Sequence, residues 1–387
     1  MVKLLLCLLL LIAGCRKEPA ETKRLSASMH AFATSDTHLS TEPDVIDSIV
    51  PAMPYSADIL RTIASQVIAA DPDVFILTGD NTNSGSRGDM LEVKKILMTV
   101  KEAGIPVVMT TGNHDFNRST PQEYWDCYSE LFDILEKDPD SLSYITEINN
   151  VRLFAMDDSS FDEGRTGTFS KRTMQWLAAN LKDAAAEGKT VLFLSHHNVI
   201  KGPAGDTGNS CCITNSTLDN LLKQYGAVLC LSGHQHGQVI QQEDSLYEII
   251  SAMPLRSPHR IGEISLENNT LSYRTVGIDF ETYGSLNLAV KIREADAREG
   301  EASMEAISAI LKEEGLSGME YEGTMRLIRQ FFEDYSAGIL AKTAASIKDD
   351  PYCETMLGAL WNHNYGPWMK TVLDDPPMYA EALSVSW

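Results

Sequence analysis

Short apolar runs alternate with amphipathic helical patterns between Met29 and about Val228, and this alternation limits the folds open to the chain. The runs predict six buried strands, at Met29–Thr34, Val74–Thr78, Val107–Thr110, Val151–Met156, Val191–Leu194 and Val228–Leu231. Helical periodicity lies between them, at about Ala57–Ala69, Asp89–Ala103, Glu123–Leu135, Lys171–Ala186 and Thr217–Gln224. Strands that alternate with helices predict an α/β fold in which the strands are sandwiched between helices.

The pattern changes after about residue 237, where strands follow one another without helices. These strands are predicted at Gln238–Gln241, Leu246–Ile250, Ile261–Leu266 and Leu271–Val276. Beyond about Tyr283 the pattern becomes helical, near Leu286–Glu299, Glu301–Glu314 and Tyr321–Ser346. We therefore predict an α/β domain over residues 29–282 and an added helical region over residues 283–387.

The N-terminus has the features of an export signal. Lys3 precedes an apolar run from Leu4 to Ala13, which is too short to span a membrane, and Gly14 and Cys15 follow it. The end of this run resembles the lipobox of bacterial lipoproteins. We therefore predict a signal peptide over residues 1–14 and a lipidated Cys15, with a polar tether up to residue 28. The alternative is an ordinary secretory signal in which Cys15 is incidental.

The other cysteines do not form a recognisable framework. With Cys7 in the signal and Cys15 lipidated, five cysteines remain, and no two have CxxC spacing. This number and spacing argue against a disulfide scaffold and against a zinc ribbon. A bridge that involves Cys211 or Cys212 and a set of buried or free thiols both remain open.

The charge of the chain restricts its partners. The sequence has 54 acidic and 32 basic residues, which give a formal net charge of -22 at pH 7. Such a surface repels polyanions, so we expect no nucleic acid polymer as a partner. A small anion that enters a locally positive cleft is not excluded by this argument.

Metal-binding residue types follow five of the predicted strands directly. In open α/β sheets, ligands bind at the carboxyl ends of the strands, so these residues are expected to meet at one edge. Asp36 and His38 are two residues apart, as are His234 and His236, and in an extended segment such pairs point the same way. The five strand ends supply seven candidate metal ligands: Asp36, His38, Asp80, Asn113, His196, His234 and His236.

The composition of this set indicates the kind of metal. Imidazole, carboxylate and amide donors without a thiolate suit manganese, iron or zinc. Two divalent ions would outweigh the charge of Asp36, Asp80 and one hydroxide, so the site would attract a phosphate anion despite the acidic surface. Gly79, Gly112 and Gly233 precede ligands and are expected to let the chain turn sharply beside the metals.

The motifs Asp36-Thr37-His38, Gly79-Asp80-Asn81, Gly112-Asn113-His114-Asp115, His196 and Gly233-His234-Gln235-His236 together resemble the calcineurin-like metallophosphoesterase family. The resemblance covers about residues 30–240 and implies a four-layer α/β/β/α sandwich. By the same resemblance, Asp36, His38 and His236 bind one metal, Asn113, His196 and His234 bind the other, and Asp80 bridges them.

The resemblance also implies roles on the substrate side. His114 would act as general acid or transition-state stabiliser, Asp115 would orient it, and a metal-bridging hydroxide would attack phosphorus. His197 and Arg118 are candidate substrate contacts, and Arg87 could be another; for each arginine the alternative is a solvated loop side chain. For His197 a supporting position behind the ligands is the other reading.

The predicted activity is hydrolysis of a small phosphate mono- or diester, by an exported lipoprotein on the outer side of the bacterial cytoplasmic membrane or in the cell envelope. A cyclic nucleotide or phospholipid-headgroup phosphodiesterase of the same fold is an alternative. An anchored metal-containing binding protein without turnover is an alternative from another class. The aromatic residues Trp361, Tyr365 and Trp368 are expected to pack between helices, although they could instead cap the cleft.

Overall fold

A computed structural model describes residues 25–42, 50–161, 166–201, 212–363, 365–376, 378 and 380–387, apart from the side chains of residues 300–303. The predicted signal peptide, Cys15 and most of the tether lie outside these residues, as does Cys211. Within the described part of the chain, no helix combines the length and the apolar character needed to cross a membrane.

The described residues contain thirteen strands: the ten that were predicted, with similar bounds, and three that were not predicted, at Glu136–Lys137, Tyr144–Ile148 and Ala382–Ser386. They are β1 (Ser28–Thr34), β2 (Val74–Thr78), β3 (Val107–Thr110), β4 (Glu136–Lys137), β5 (Tyr144–Ile148), β6 (Val151–Ala155), β7 (Thr190–Leu194), β8 (Ala227–Ser232), β9 (Val239–Glu243), β10 (Leu246–Ile250), β11 (Arg260–Glu267), β12 (Thr270–Gly277) and β13 (Ala382–Ser386).

These strands form two sheets. The first has the order β13-β12-β11-β1-β2-β3, and the second has the order β4-β5-β6-β7-β8-β10-β9. Strands β1, β2 and β3 are parallel to one another in the first sheet. In the second sheet β6, β7, β8 and β10 are parallel. The parallel strands therefore form one side of the first sheet and the middle of the second, and within each sheet their carboxyl ends lie together.

Helices α1 (Ser56–Ala70), α2 (Arg87–Glu102), α3 (Pro121–Tyr128), α4 (Lys171–Ala186) and α5 (Leu218–Gln224) belong to the α/β domain. Alternate residues of the second sheet face opposite ways, as the period of a strand requires. Leu153 and Leu192 belong to the large core with α1 and α2, whereas Phe154 and Phe193 pack with α4 and α5. The predicted four-layer α/β/β/α sandwich is thereby confirmed.

The C-terminal helices are α6 (Leu288–Glu313), α7 (Gly318–Ser336), α8 (Leu340–Lys348), α9 (Cys353–Ala359) and α10 (Tyr365–Asp374), and they share a core of their own. Trp368 lies in this region, with its ring 5.0 Å from that of Tyr335 and 5.5 Å from that of Phe331. The expected packing role is thus confirmed for Trp368. Trp361 and Tyr365 are 49% and 43% exposed and only border this core.

Several boundaries differ from the sequence predictions. The helix predicted over Glu123–Leu135 ends at Tyr128, and a 3-10 turn over Ser129–Leu131 separates it from β4. The two helices predicted on either side of residue 300 are one helix, α6. The helix predicted over Tyr321–Ser346 is interrupted at Gly338, which adopts a φ of 69°. Lastly, the region after residue 283 is not entirely helical, because β13 returns to pair with β12.

The C-terminal region also contacts the segment that follows β8. A methyl group on Gly237 would lie 3.2 Å from a ring carbon of Tyr335 in α7. The backbone N–H of Met378 donates to the carbonyl oxygen of Ile240, at 3.1 Å. The His259 ring on the β10–β11 connection pairs with Asp296 of α6 at 3.0 Å. The helices are therefore joined to the α/β domain beside the strand ends.

Candidate metal centre

The parallel strands bring their carboxyl ends together at one edge of the sandwich. Two groups of side chains converge there, and within each group the nearest potential ligand atoms lie within 4.8 Å of one another. Asp80 is common to both groups. The first group contains Asp36, His38, Asp80 and His236, and the second contains Asp80, His196 and His234.

The first group is compact, and three of its members are buried while the His236 side chain is 29% exposed. The Nε2 atoms of His38 and His236 are 3.2 Å apart. His236 Nε2 lies 3.3 Å from Asp36 Oδ1, and His38 Nε2 lies 3.4 Å from Asp80 Oδ2. Two imidazole nitrogens and two carboxylate oxygens therefore face one small volume.

The second group is completed by an amide. His196 Nε2 lies 3.3 Å from Asp80 Oδ2 and 3.1 Å from Asn113 Oδ1. His234 Nδ1 is also 3.1 Å from Asn113 Oδ1. The structure thus brings all seven predicted ligands together, in the two sets that the family resemblance implied.

The backbone at these ligands is left-handed rather than extended. The φ angles are 52° at Asp36, 38° at His38, 47° at Asp80, 69° at His234 and 58° at His236. The expectation that extended geometry aligns the i and i+2 side chains was therefore wrong, although the pairs do meet. Left-handed backbone is unfavourable for side chains with a Cβ and persists where the surrounding structure over-determines it, typically at functional sites.

Two glycines allow the close approach of the strand-end loops. A Cβ on Gly112 would overlap the backbone and carboxylate of Asp80. A Cβ on Gly233 would overlap the hydroxyl of Ser35 and the Oδ2 atom of Asp36. The expectation that these glycines lie beside the ligands is confirmed, and the reason is close approach between two loops.

Gly233→Ala is expected to weaken binding at the first donor group, because the new methyl group must displace Asp36. We expect a loss of at least ~10-fold in Mn²⁺ affinity, the range seen when the support of a metal ligand is removed. Gly277→Ala is the matched control, since a Cβ there has no neighbour within 4 Å. Equilibrium dialysis with metal analysis measures both variants, and unchanged affinity in Gly233→Ala would contradict the geometric argument.

Backbone carbonyl groups orient the ligand rings. His196 Nδ1 donates to the carbonyl oxygen of Thr78, at 3.0 Å, so its Nε2 is the nitrogen that faces Asp80. Thr78 is the last residue of β2 in the first sheet, whereas His196 follows β7 in the second. Such a hydrogen bond fixes both the tautomer and the direction of a ligand imidazole. It also ties the two sheets together at the site.

The carboxylates of the centre are ionised. Burial alone would raise the pKa of Asp36, but hydrogen bonds from His236 and His38 hold it well below its usual value. Burial also opposes ionisation of Asp80, but the charge of His196 and its hydrogen bond hold the Asp80 pKa far below normal. Two buried negative charges of this kind require nearby positive charge.

The histidines divide the compensating charge unequally. Burial disfavours a charged ring at His196, yet interaction with Asp80 outweighs it and raises the His196 pKa to about 10. Burial and the neighbouring charge of His196 lower the pKa of His234 to about 3. In the protein alone, a proton on His196 thus balances Asp80. A divalent cation would supply that charge instead and would displace the proton.

The chemistry of the donor set fits two divalent ions. Each group mixes imidazole nitrogen with carboxylate or amide oxygen and contains no thiolate, which suits manganese, iron or zinc. The donor atoms within each group face one another at 3.1–3.8 Å. Asp80, with one oxygen directed at both His38 and His196, is placed to serve both groups.

His114 lies beside the first group without joining it. Its ring centroid is 4.6 Å from that of His38, and its backbone N–H donates to Asp80 Oδ1 at 2.8 Å. Its Nδ1 donates to the carbonyl oxygen of Asn83, at 2.9 Å. The Asn83 side chain also contacts His38 Nδ1, at 3.3 Å. Asn83 therefore orients both rings, and His114 keeps its Nε2 for another partner.

Asp115 has a different role from the one expected. Its carboxylate accepts hydrogen bonds from Gly112, Asn81 and Thr82, at 2.8–3.3 Å, and it braces the loop that follows β2. The prediction that Asp115 orients His114 was wrong, because the carbonyl oxygen of Asn83 occupies Nδ1 of that ring. Burial and the nearby charge of Asp80 raise the pKa of Asp115 to about 6.

His197 does not face an open surface. It is 0% exposed, its Nδ1 lies 3.2 Å from Asp158 Oδ1, and its ring lies 4.3 Å from that of His234. The prediction of a substrate contact for His197 is therefore corrected, because Asp158 holds the ring in the interior. The alternative hypothesis, that His197 supports the ligands from behind, agrees with its position between Asp158 and His234.

Arg118 and Arg87 remain outside the converging groups. Arg118 forms an ion pair with Glu42, at 2.6 Å, and its side chain is half exposed. This pair joins the segment after His38 to the segment after His114. A substrate contact for Arg118 remains a prediction. Arg87 is the exposed first residue of α2.

Two residues that support the ligands, Asn83 and Asp158, were not predicted from the sequence. Asn83 lies three residues after Asp80 in a polar loop, and that loop was the available signal. Asp158 follows β6, the fourth of the six predicted strands, and no site residue was predicted at the end of that strand. The two adjacent carboxylates after this strand, Asp157 and Asp158, are the sequence signal that points to a polar role there.

Comparison with known proteins agrees with this geometry. The family model described as calcineurin-like phosphoesterase matches residues 29–238, which is more than half of the chain and includes all seven donors and His114. Comparison with the curated proteins finds no match.

Solved structures share the fold at low sequence identity. A dimetal phosphatase from Danio rerio superposes with a TM-score of 0.53 at 16% identity, over 65% of this chain and 97% of that one. A purple acid phosphatase from yellow lupin gives 0.46 at 13% identity, over 67% and 53%. A putative 5'-nucleotidase from Staphylococcus aureus gives 0.45 at 16% identity, over 70% and 58%. At such identity, the first of these similarities establishes the fold alone.

Proposed function

We propose that this chain, which belongs to the calcineurin-like phosphoesterase family, hydrolyses small phosphate mono- or diesters at a dinuclear metal centre. Membership of this family identifies the chain as a metallophosphoesterase, a hydrolase of phosphoester bonds. The observation that carries the finer proposal is the pair of buried donor groups that share Asp80. Such sharing is what a two-metal site requires of its bridging ligand.

Each donor group has a defined place in this proposal. Asp36, His38 and His236 would hold one ion, Asn113, His196 and His234 would hold the other, and Asp80 would serve both. When bound, two divalent ions supply Lewis acidity and lower the pKa of water enough to make hydroxide available near neutral pH. Manganese, iron and zinc are the metals that match these donors.

The residues of the chain itself prepare the site for an anionic substrate. Hydrogen bonds between loops of different strands, from His38 to the Asp80 carbonyl and from Gly233 to the His196 carbonyl, fix the ligand backbones. Asp36, Asp80 and His196 are buried, and the low dielectric of such a site strengthens the attraction of bound cations for a phosphoryl group.

His114 is the group that we assign to the substrate. Its backbone is fixed by Asp80 and its Nδ1 proton is held by the Asn83 carbonyl, so its Nε2 is left to act. In the protonated ring, Nε2 can donate a hydrogen bond to a phosphoryl oxygen or a proton to the leaving-group oxygen. Both roles use the same ring position beside the first donor group.

The sequence supports a further proposal on location. The apolar run before Cys15 and the polar segment up to residue 28 match an exported, lipid-anchored protein. The substrate would then be met outside the cytoplasm. These residues lie outside the described part of the chain, apart from 25–28, and this proposal rests on the sequence pattern.

The proposed reaction predicts metal-dependent turnover. Chelated protein should cleave neither 4-nitrophenyl phosphate nor bis-4-nitrophenyl phosphate, and addition of Mn²⁺ should restore cleavage of at least one of them. Inductively coupled plasma mass spectrometry on the same samples should find two ions per chain. If the protein holds two ions and cleaves no mono- or diester, the hydrolase proposal is wrong and a binding role replaces it.

A further inference from the structure

Asp158 is a fully buried carboxylate that contacts the second donor group from behind. Its Oδ2 atom accepts the backbone N–H groups of His196, at 3.0 Å, and of His197, at 2.8 Å. Its Oδ1 atom accepts the Ser159 hydroxyl, at 2.7 Å, and faces His197 Nδ1, at 3.2 Å. Three of these four contacts therefore go to the ligand His196 and its neighbour.

His197 carries the effect of Asp158 to a second ligand. The His197 ring lies between Asp158 and His234, with its centroid 4.3 Å from that of His234. A Cβ on Gly167 would lie 2.7 Å from His197 Cγ, so the chain closes tightly over the ring. His197 Nε2 is buried without a hydrogen-bond partner among the described residues. Asp158 thus holds one side of the His197 ring, and the other side packs beside the His234 ring.

We propose that Asp158 is the positioning residue of the second metal: it fixes the His196 backbone directly and, through the His197 ring, fixes His234. This inference rests on the proposed dinuclear centre. It implies that Asp158 increases the affinity for the ion in the second donor group and has no effect on the affinity for the ion in the first. Removal of such an outer partner typically lowers metal affinity 10–100-fold.

The local backbone explains why a carboxylate is needed here. His196 follows the end of β7, so strand pairing no longer holds its N–H group. Its carbonyl oxygen accepts from Gly233, its ring donates to the Thr78 carbonyl, and its N–H donates to Asp158. An ionised acceptor makes the last of these bonds stronger than a neutral one would. Without Asp158, the His196 ring keeps its hydrogen bond to the Thr78 carbonyl, but the His196 backbone keeps only one of its two hydrogen bonds, the one from Gly233.

The neighbouring residue provides a matched control. Asp157 is also buried, at 3% exposure, and its carboxylate is equally engaged. Its partners are the Thr111 hydroxyl at 2.6 Å and the Leu142 N–H at 3.1 Å, together with Ser159 and Ser160. None of these contacts is to His196 or His197. Two adjacent aspartates of similar burial therefore differ in whether they hold the second donor group.

The test is a Mn²⁺ titration of the full chain by isothermal calorimetry, with equilibrium dialysis to count the ions. Asp158→Ala is expected to lower the affinity for one of the two Mn²⁺ ions by ~10–100-fold and to leave the affinity for the other within ~3-fold of the parent value. Asp157→Ala should leave both within ~3-fold. Asp158→Asn keeps the side-chain volume and one acceptor oxygen, so its loss of affinity should be smaller than that of Asp158→Ala. If the alanine variant does not fold, the asparagine variant provides the test.

A double variant identifies which ion is affected. In His234→Ala, which lacks a ligand of the second group, further substitution of Asp158 by alanine should leave the remaining ion unchanged. The proposal is overturned if Asp158→Ala and Asp158→Asn keep both affinities, if both ions weaken equally, or if the remaining ion weakens in the double variant. A parent chain that binds fewer than two ions overturns it as well.

This readout is independent of turnover. Binding is measured without substrate, so failure of the parent chain to cleave any ester refutes the proposed function while the role of Asp158 is still decided.

Discussion

Asp80→Ala is expected to abolish two-metal binding and to reduce kcat/KM on the order of 10³-fold or more. The reason is that Asp80 belongs to both donor groups, with Oδ2 3.4 Å from His38 Nε2 and 3.3 Å from His196 Nε2. Metal ions supply several kcal/mol of transition-state charge stabilisation, and each ~1.4 kcal/mol corresponds to a factor of ten in rate. Metal analysis after dialysis, together with kinetics on a cleaved ester, measures both effects.

The control for Asp80 must be a buried aspartate at a distance from the centre. Asp138 is 0% exposed and accepts from the Asp140 N–H and the Ser141 hydroxyl in the turn between β4 and β5. Asp138→Ala should therefore lower the thermal unfolding temperature without changing the number of bound ions. A fully metallated Asp80→Ala would refute the bridging assignment, whatever its rate.

The position of the centre could be predicted because it depends on topology. Parallel strands in an α/β sheet present their carboxyl ends at one edge, so residues such as Asp36 and His234 must approach each other despite their separation in the chain. Strand recognition from apolar runs was sufficient for this. The glycine at position 233 could also be anticipated, because backbone that approaches a ligand closely excludes a Cβ.

The orientation of the ligands could not be predicted in the same way. Backbone carbonyl groups of Thr78 and Asn83 fix the orientation of the His196 and His114 rings. Because every residue has a backbone carbonyl, the residue type does not reveal which one accepts such a hydrogen bond. The left-handed backbone at Asp36 and His38 is imposed by hydrogen bonds to the loop after β2. These features depend on the packing of one loop on another, which local sequence does not determine.

The C-terminal region shows a related limit of sequence reasoning. The apolar periodicity identified its helices, but the pairing of β13 with β12 joins residues more than a hundred positions apart. The short run Ala382–Ser386 has the alternation of a strand, with Leu383 and Val385 more buried than their neighbours, but this alternation does not specify which strand it pairs with. Non-local pairing of this kind is decided by the assembled fold.

His114→Ala is expected to retain both ions and to lower kcat by ~10²–10⁴-fold, the range of a single general acid. His114 stands beside the metal ligands, 4.6 Å from the His38 ring, and is not a member of either donor group. Loss of its side chain should therefore remove a contact to the reacting group and leave metal binding intact. Kinetics and metal analysis on one preparation separate these effects, and His30→Ala at the partly exposed His30–Glu263 pair is the control.

The leaving group then distinguishes the two roles open to His114. If Nε2 protonates the departing oxygen, the loss in His114→Ala should be large for phenyl phosphate and smaller for 4-nitrophenyl phosphate, whose oxygen leaves readily without a proton. If Nε2 instead stabilises charge on the phosphoryl oxygens, both esters should lose activity equally. Either pattern assigns the residue to the substrate. Normal turnover in a fully metallated His114→Ala would remove it from the mechanism, and the Asn83 carbonyl would then serve only to pack the ring.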